Sequence, residues 1–369
     1  MKTPYVDLKL QWRKDKPKLL PIIENILSKG SYVIGEEVDK FEKNIARYCN
    51  KKYAVAFNSG TDALTLGLML LGVRKGDEVI TPPNSFISST SSIIHIGAIP
   101  VFADVLDDQN IDPKEIEKKI TKKTKAIMPV HLTGRVCKMN EIKKISNKYK
   151  IPILEDAAQS IGSKYYDKKS GTFGEISCFS VHPLKNLNAC GDGGFFVTNN
   201  YKFYKKAKIL RNHGLQDRNL VKNYGYISRM DVLQAAILNF RLNLLEGTIS
   251  KRRKNADFYI KNLNRDFYKI IDEKKYEYNT YHTFVVQTSK RNELINFLKK
   301  KGIGTAIHYP IPIHLQPASK YLNYKKGDFP VTEEQSKRIL TIPIHQNLTQ
   351  KELKNVVIIM NKFASDNKK

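Results

Sequence analysis

Ile153-Leu154-Glu155-Asp156-Ala157-Ala158-Gln159 is a short apolar run that ends in two carboxylates and passes at once into small residues. That is the pattern of a buried strand delivering polar groups beyond its carboxyl end. Similar runs lie on both sides of it, at 53–57, 78–81, 101–105, 126–131, 176–181 and 195–198, and this strand itself is expected over 151–154. Amphipathic helices, such as 139–149, fall between several of them. Alternation of helices with continuously apolar strands predicts an α/β fold: three layers, with a mostly parallel sheet covered on both faces. In such sheets ligands collect beyond the carboxyl ends of the strands. The Glu155–Gln159 segment is therefore a candidate site.

Downstream the period changes. From Arg229 a helical pattern runs through Leu233, Ala236, Ile237 and Phe240 towards Leu263, with a bend expected near Gly247. A strand (283–287), a helix (291–301), a Pro-rich loop (308–317) and a closing helix (351–363) follow. With 369 residues the chain exceeds one simple core. We expect a large domain over 1–245 and a smaller C-terminal α/β domain over 246–369.

Composition is that of a globular protein, 41% hydrophobic and 27% charged. The N-terminal stretch to Leu20 carries charges throughout, and the most apolar window, 64–73, is too short to span a bilayer. A soluble cytoplasmic protein with no membrane partner is expected. Cys49, Cys137, Cys178 and Cys190 form no CxxC pair, so neither a metal site nor a disulfide framework is indicated. Cys190 is read as an ordinary buried thiol. The net charge of +27 raises the possibility of a nucleic-acid partner. The segment 112–120, however, interleaves Glu and Lys outside Ile116 and Ile120, and Lys299, Lys300 and Lys301 close a helix where cations suit the dipole. The excess lysine reads as solvated helix faces, so no nucleic-acid partner is expected. An anionic small substrate would benefit from the same field.

Three further segments carry chemistry. In Ala56-Phe57-Asn58-Ser59-Gly60-Thr61-Asp62 a strand ends, turns and starts a helix at once. The N–H groups of Gly60 and Thr61 would then be free at a helix N-terminus, which suits a phosphate, although Ser-Gly-Thr also serves as a plain helix cap. At Asp156 a helix cap competes with a carboxylate paired to a cofactor ring nitrogen. In Cys178-Phe179-Ser180-Val181-His182-Pro183-Leu184-Lys185-Asn186 a strand stops at a proline and a lone lysine sits among small and apolar residues. Gly191-Asp192-Gly193-Gly194 follows, where the backbone can approach something closely. A single loop lysine is usually just solvated. Its place after a strand end, with an acid and a phosphate cradle upstream, favours function.

The ordered motifs NSGTDAL, EDAAQ, FSVHPLKN and GDGG together resemble the DegT/DnrJ/EryC1/StrS family of sugar aminotransferases, within the aspartate-aminotransferase superfamily (fold type I). The resemblance extends from Gly35 in YVIGEEV to IHYPIPIHLQPA and TIPIHQNLT, nearly the whole chain. It implies pyridoxal 5'-phosphate (PLP) as cofactor, with Lys185 as the Schiff-base lysine. It further implies that Asp156 pairs with the pyridinium nitrogen and that Gln159 lies near the phenolic oxygen. Gly60, Thr61 and Ser180 would hold the phosphate, and Phe86 would stack on the ring. A homodimer with shared active sites is implied as well. The implied reaction is amination of a nucleotide-linked keto-sugar with glutamate as donor.

One departure stands out. Family members often carry Gly-x-Asn-x-Arg before the long helix, the Asn reaching the partner's phosphate; here Gly225-Tyr226-Ile227-Ser228-Arg229 puts Ile227 in its place. Either Ser228 or a neighbouring backbone group substitutes, or phosphate binding is weaker on that side. His131, His182, Tyr226, Arg229, His308 and Tyr309 are candidate substrate contacts, each with packing or a structural ion pair as the plain alternative. The stretch KNLNACGDGG looks more like members aminating C3 of a keto-deoxysugar than C4. Lys185 argues against a dehydratase, in which histidine takes that place. A PLP-fold regulatory protein without turnover is the remaining rival.

Overall fold

The computed structural model describes residues 2–367. Seven strands build one central sheet: Tyr53–Phe57 (β1), Glu78–Thr81 (β2), Ile99–Phe102 (β3), Thr124–Ile127 (β4), Leu154–Asp156 (β5) and, after the small ribbon Lys164–Tyr165 (β6) and Lys168–Lys169 (β7), Ile176–Ser180 (β8) and Gly194–Thr198 (β9). The hydrogen-bonded orders are β1-β9-β8-β5 and β3-β2-β4. Parallel bridges Ile127↔Ile153 and Val130↔Asp156 join the two blocks between β4 and β5. All pairings are parallel except those of β9, which runs against both β1 and β8.

Alternation along the strands separates two apolar layers. Ala54, Ala56, Phe179 and Phe195 pack with Phe41, Ile45, Ala235 and Leu238 from the helices Glu36–Tyr48 and Val232–Leu242. Val55, Phe57, Cys178 and Phe196 face the opposite way, against Leu64, Leu68, Ile93 and Leu210. The period of two thus covers both faces and gives the three-layer α/β arrangement. Strand ends differ from expectation by three and four residues: β3 and β4 end at Phe102 and Ile127, and the apolar residues beyond them continue as loop.

The helix expected to bend near Gly247 instead breaks at Asn243 and Leu244, giving Val232–Leu242 and Leu245–Asn262; Gly247 stays helical. Glu277–Tyr278 (β10) pairs with β6, and Tyr278 packs on the layer of Ala54 and Phe41. A second core gathers around Phe284–Gln287 (β11) and Ile339–Ile342 (β12), where Val286, Leu340 and Ile342 pack with Tyr259, Leu294, Leu298, Val356 and Met360. β11 and β12 are antiparallel. The chain start belongs to this neighbourhood too: the Thr3 N–H donates to the Gly302 carbonyl, and the Gly304 N–H donates to that of Thr3. This strap carries Tyr5 to the cavity described below. No described helix is long and apolar enough to cross a membrane, and no described cluster of His, Cys, Asp and Glu could hold a metal ion. Cys190 is exposed, contrary to the buried thiol expected. Its backbone N–H is held by the Gln234 side chain, and that turn leaves the sulfur outside.

Candidate active site

The carboxyl ends of β1, β5 and β8 open into one cavity of about 270 Å³. Period-two alternation splits the two acids of β5. Glu155 points under the sheet, where it accepts from His131 Nε2 (3.0 Å), from the N–H groups of Gly171, Phe173 and Gly174, and from Ser177 Oγ. Burial raises its pKa, but these donors outweigh it and leave the carboxyl at about 2. Asp156 points the other way, into the cavity. Ser89 Oγ donates to its Oδ2 at 2.7 Å and the Ala158 N–H to its Oδ1 at 3.2 Å. Burial nevertheless pushes its pKa up against those bonds and the Lys185 charge. A buried acid in that state is stabilised by a cation placed beside it.

Lys185 follows the proline that ends β8's extension, its N–H closing a turn on the His182 carbonyl (2.8 Å). The side chain keeps some surface open to the cavity while its amine lies deep. Desolvation pulls its pKa down to about 8, against the opposing pull of Asp156. The amine is thus brought toward the neutral form a nucleophile requires.

The third corner is the turn between β1 and the helix Gly60–Leu70. Ser59 caps the helix by accepting from the Asp62 N–H. The N–H groups of Gly60 and Thr61, in the first turn, precede any intrahelical acceptor. Ser180, at the end of β8, closes the cradle: a Cβ on Gly60 would stand 2.9 Å from Ser180 Cβ. Gly194 explains how β9 fits there, since a Cβ on it would meet Gly60 N and Ser59 O at 2.4 Å. The close approach anticipated for the GDGG stretch is thus to the chain's own turn. Thr61 Oγ1 donates to Ser88 Oγ (2.8 Å). Phe86 is 54% exposed and its ring lies 5.9 Å from that of Tyr309, on the cavity wall. Gln159 is fixed by the Thr133 N–H on Oε1 (2.8 Å) and reaches the Tyr309 hydroxyl through Nε2 (3.4 Å). A neutral-leaning amine, a buried acid and an anion cradle under an exposed aromatic ring form a set that fits PLP: aldehyde, ring nitrogen, phosphate and ring face each meet a matching group.

Of the candidate substrate contacts, His182, His308 and Tyr309 line this cavity. Burial and the Lys185 charge lower His308 to about 4, keeping it neutral, and its Nδ1 lies 2.9 Å from Thr341 Oγ1. The other three do not line it. His131 is fully buried, its Nδ1 accepting from the Cys137 N–H while Nε2 faces Glu155. Both ring nitrogens are used, so it braces the floor and does not touch substrate. Tyr226 lies outside the cavity, half exposed. Arg229 donates to Asn212 Oδ1 at 3.0 Å. Ser228 is buried and donates to Asn58 Oδ1, so its hydroxyl is no surface substitute for the missing Asn, while Ile227 is 61% exposed. Sequence reasoning missed Ser89, Tyr5, Arg252, His282 and His345, all at the cavity. None sits in a local motif. Folding brings them in from separate segments.

The model of the DegT/DnrJ/EryC1/StrS aminotransferase family matches residues 14–361. A dTDP-3-amino-3,6-dideoxy-alpha-D-galactopyranose transaminase of Aneurinibacillus thermoaerophilus is 37% identical over 364 residues, covering 98% of this chain and 99% of its own. A "pleiotropic regulatory protein" of Geobacillus stearothermophilus is 37% identical over 361 residues, 97% of each chain. Among solved structures, DesV of S. venezuelae in complex with a ketimine intermediate superposes with a TM-score of 0.96 at 34% identity, covering 98% of both chains.

Proposed function

The chain belongs to the DegT/DnrJ/EryC1/StrS aminotransferase family, and solved structures similar to it carry PLP or its amine form; from that premise we propose that it aminates C3 of a dTDP- or UDP-linked 3-keto-6-deoxyhexose, with glutamate as donor, in a homodimer. The observation that carries the reading is the juxtaposition of Lys185, Asp156 and the Gly60–Thr61–Ser180 cradle in one cavity. The C3 assignment is supported by the KNLNACGDGG stretch and by the 3-amino-sugar transaminase activity for which the Aneurinibacillus relative is named. The same reading puts the cofactor domain at 1–245 and the smaller domain at 246–369.

When bound, PLP supplies an aldehyde and a ring that draws electron density from the substrate carbon. Asp156, ionised beside the ring nitrogen, holds a proton there. Gly60, Thr61 and Ser180 hold the phosphate, and Phe86 covers the ring. Lys185, as a neutral amine, would hold the aldehyde carbon, and its Nζ, once free, would carry a proton to or from the substrate carbon. His182, His308 and Tyr309 line the face where the sugar enters.

The regulatory name of the Geobacillus relative raises a reading without turnover. An intact buried amine facing an intact buried acid supports catalysis instead. Purified protein is expected to be yellow, and borohydride should fix the cofactor on Lys185; colourless protein that takes up no PLP ends the reading. Lys185→Ala should lose about 10⁴-fold or more in turnover, since nucleophile and proton carrier vanish together. A panel of dTDP- and UDP-linked 3-keto and 4-keto sugars with glutamate decides the regiochemistry, and amination at C4 alone would refute the C3 assignment.

A further inference from the structure

The wall of the same cavity carries a cation that nothing so far uses. Arg252, on the helix Leu245–Asn262, is 4% exposed and lines the cavity. Its Nη1 donates to two carbonyls, those of Tyr281 and His282, at 3.1 Å each. Its Nε is buried without a partner, as is Nδ1 of the adjacent His282. Among the described residues no carboxylate comes within ion-pair distance of the guanidinium. A buried charge left in that state is costly unless a ligand completes it. Consistent with this, burial lowers the arginine to about 10, and Tyr5 is the group that offsets it.

The position of this cation limits what it can meet. The Lys185 charge is felt by His182, His282 and His308, and that of Arg252 by Tyr5, His282 and His345. His282 thus feels both charges and lines the cavity with them. Lys185 and Arg252 line the same cavity from different elements, so a donor whose amino-bearing carbon is held at Lys185 has only its distal group left to offer Arg252. The burial of the guanidinium also suits a planar carboxylate, which it can take in a two-pronged bond, better than a bulky diphosphate.

We propose that Arg252, with His282 beside it, is the specificity determinant for the amino donor, binding the distal carboxylate of an acidic amino acid. The proposal rests on the aminotransferase reading above and narrows it, because an uncompensated cation selects glutamate over glutamine or alanine. A sugar carrying a carboxylate at C6 would present the same chemistry, so the test must separate the two sources.

The holoenzyme is mixed with glutamate, glutamine or alanine, and loss of its absorbance band is followed. Arg252→Gln should reduce the preference for glutamate over alanine by about 100-fold, the size expected for losing a charge-assisted bond. KM for glutamate should rise while KM for the keto-sugar moves far less. Arg252→Lys, which keeps a cation, should fall between. A readout independent of turnover is calorimetric titration of the holoenzyme with glutarate, which should bind the native enzyme and not Arg252→Gln. Should Arg252→Gln fail to fold or to retain its absorbance band, the donor ratio of Arg252→Lys decides. Equal rises in both KM values, or unchanged glutarate binding, would reduce Arg252 to a tie between its helix and the Tyr281–His282 backbone and overturn the proposal. So would discrimination lost only between C6-carboxylate and C6-methyl sugars. A native enzyme that exchanges with no amino acid and no sugar would instead sink the aminotransferase reading itself.

Discussion

At the scale of single residues, burial tunes each group of the site. Lys185 has its amine lowered from 10.5 to about 8. At pH 7 about one amine in ten is then neutral, against about one in three thousand for an ordinary lysine. Because the shift is downward, the neutral fraction is lost as pH falls through 8 and gains nothing more well above it. PLP capture by the cofactor-free protein should thus slow about tenfold from pH 7 to pH 6 and level off near pH 9. Stopped-flow absorbance across that range checks it. A rate that keeps climbing to pH 10 would mean that the lysine titrates normally. Burial also divides the two acids of β5. Glu155, surrounded by donors, is a structural anion, whereas Asp156, with fewer donors, is left needing a positive partner. The sequence cannot distinguish neighbours of such similar chemistry by type alone. Strand alternation does so, once the register is known.

At the scale of elements, the site depends on strand ends and the turns that follow them. The turn after β1 lies so close to β8 and β9 that a methyl group on Gly60 would press on Ser180. Gly60→Ala should therefore weaken PLP retention by roughly tenfold to a hundredfold, the cost of overpacking a close contact, while the overall fold survives. Dialysis followed by cofactor quantitation measures it, and retention equal to native would remove Gly60 from the cradle. Elements of this kind are legible in sequence because their signals are local. Continuous apolar runs mark β1, β2, β8 and β9 closely, and the helix Met139–Tyr149 carries its own amphipathic stripe. Boundaries blur where apolar loop continues a strand, as after Phe102 and Ile127. The helix Leu8–Ser28 was not anticipated at all. It contains Pro17 and Pro21, residues that ordinarily argue against a helix interior, so its existence depends on tertiary packing.

At the scale of the whole molecule, local signals give out. Arg252, Tyr5 and His345 come from a helix, the N-terminal strap and the loop after β12, and only the closed fold brings them to one wall. The same scale governs the excursion over 213–228, which turns its apolar groups outward: Tyr224 is 95% exposed, and Leu220, Val221, Tyr226 and Ile227 are exposed beside it. Apolar residues gathered on one projecting loop cost free energy in water unless another surface covers them. A second copy of this chain is the partner that the homodimer reading supplies. Ile227 stands where the family resemblance implies a hydrogen-bonding Asn, so on the homodimer reading its contribution would be hydrophobic area in place of a polar contact. Ile227→Asp should consequently raise the dimer dissociation constant by about tenfold or more, as for a desolvated interface position, and sedimentation equilibrium measures it. Cofactor loss on dilution should follow the same concentration dependence if the sites are shared. A variant as dimeric as the native chain, or a native chain that sediments as a monomer while holding PLP, would show that each cavity is complete by itself.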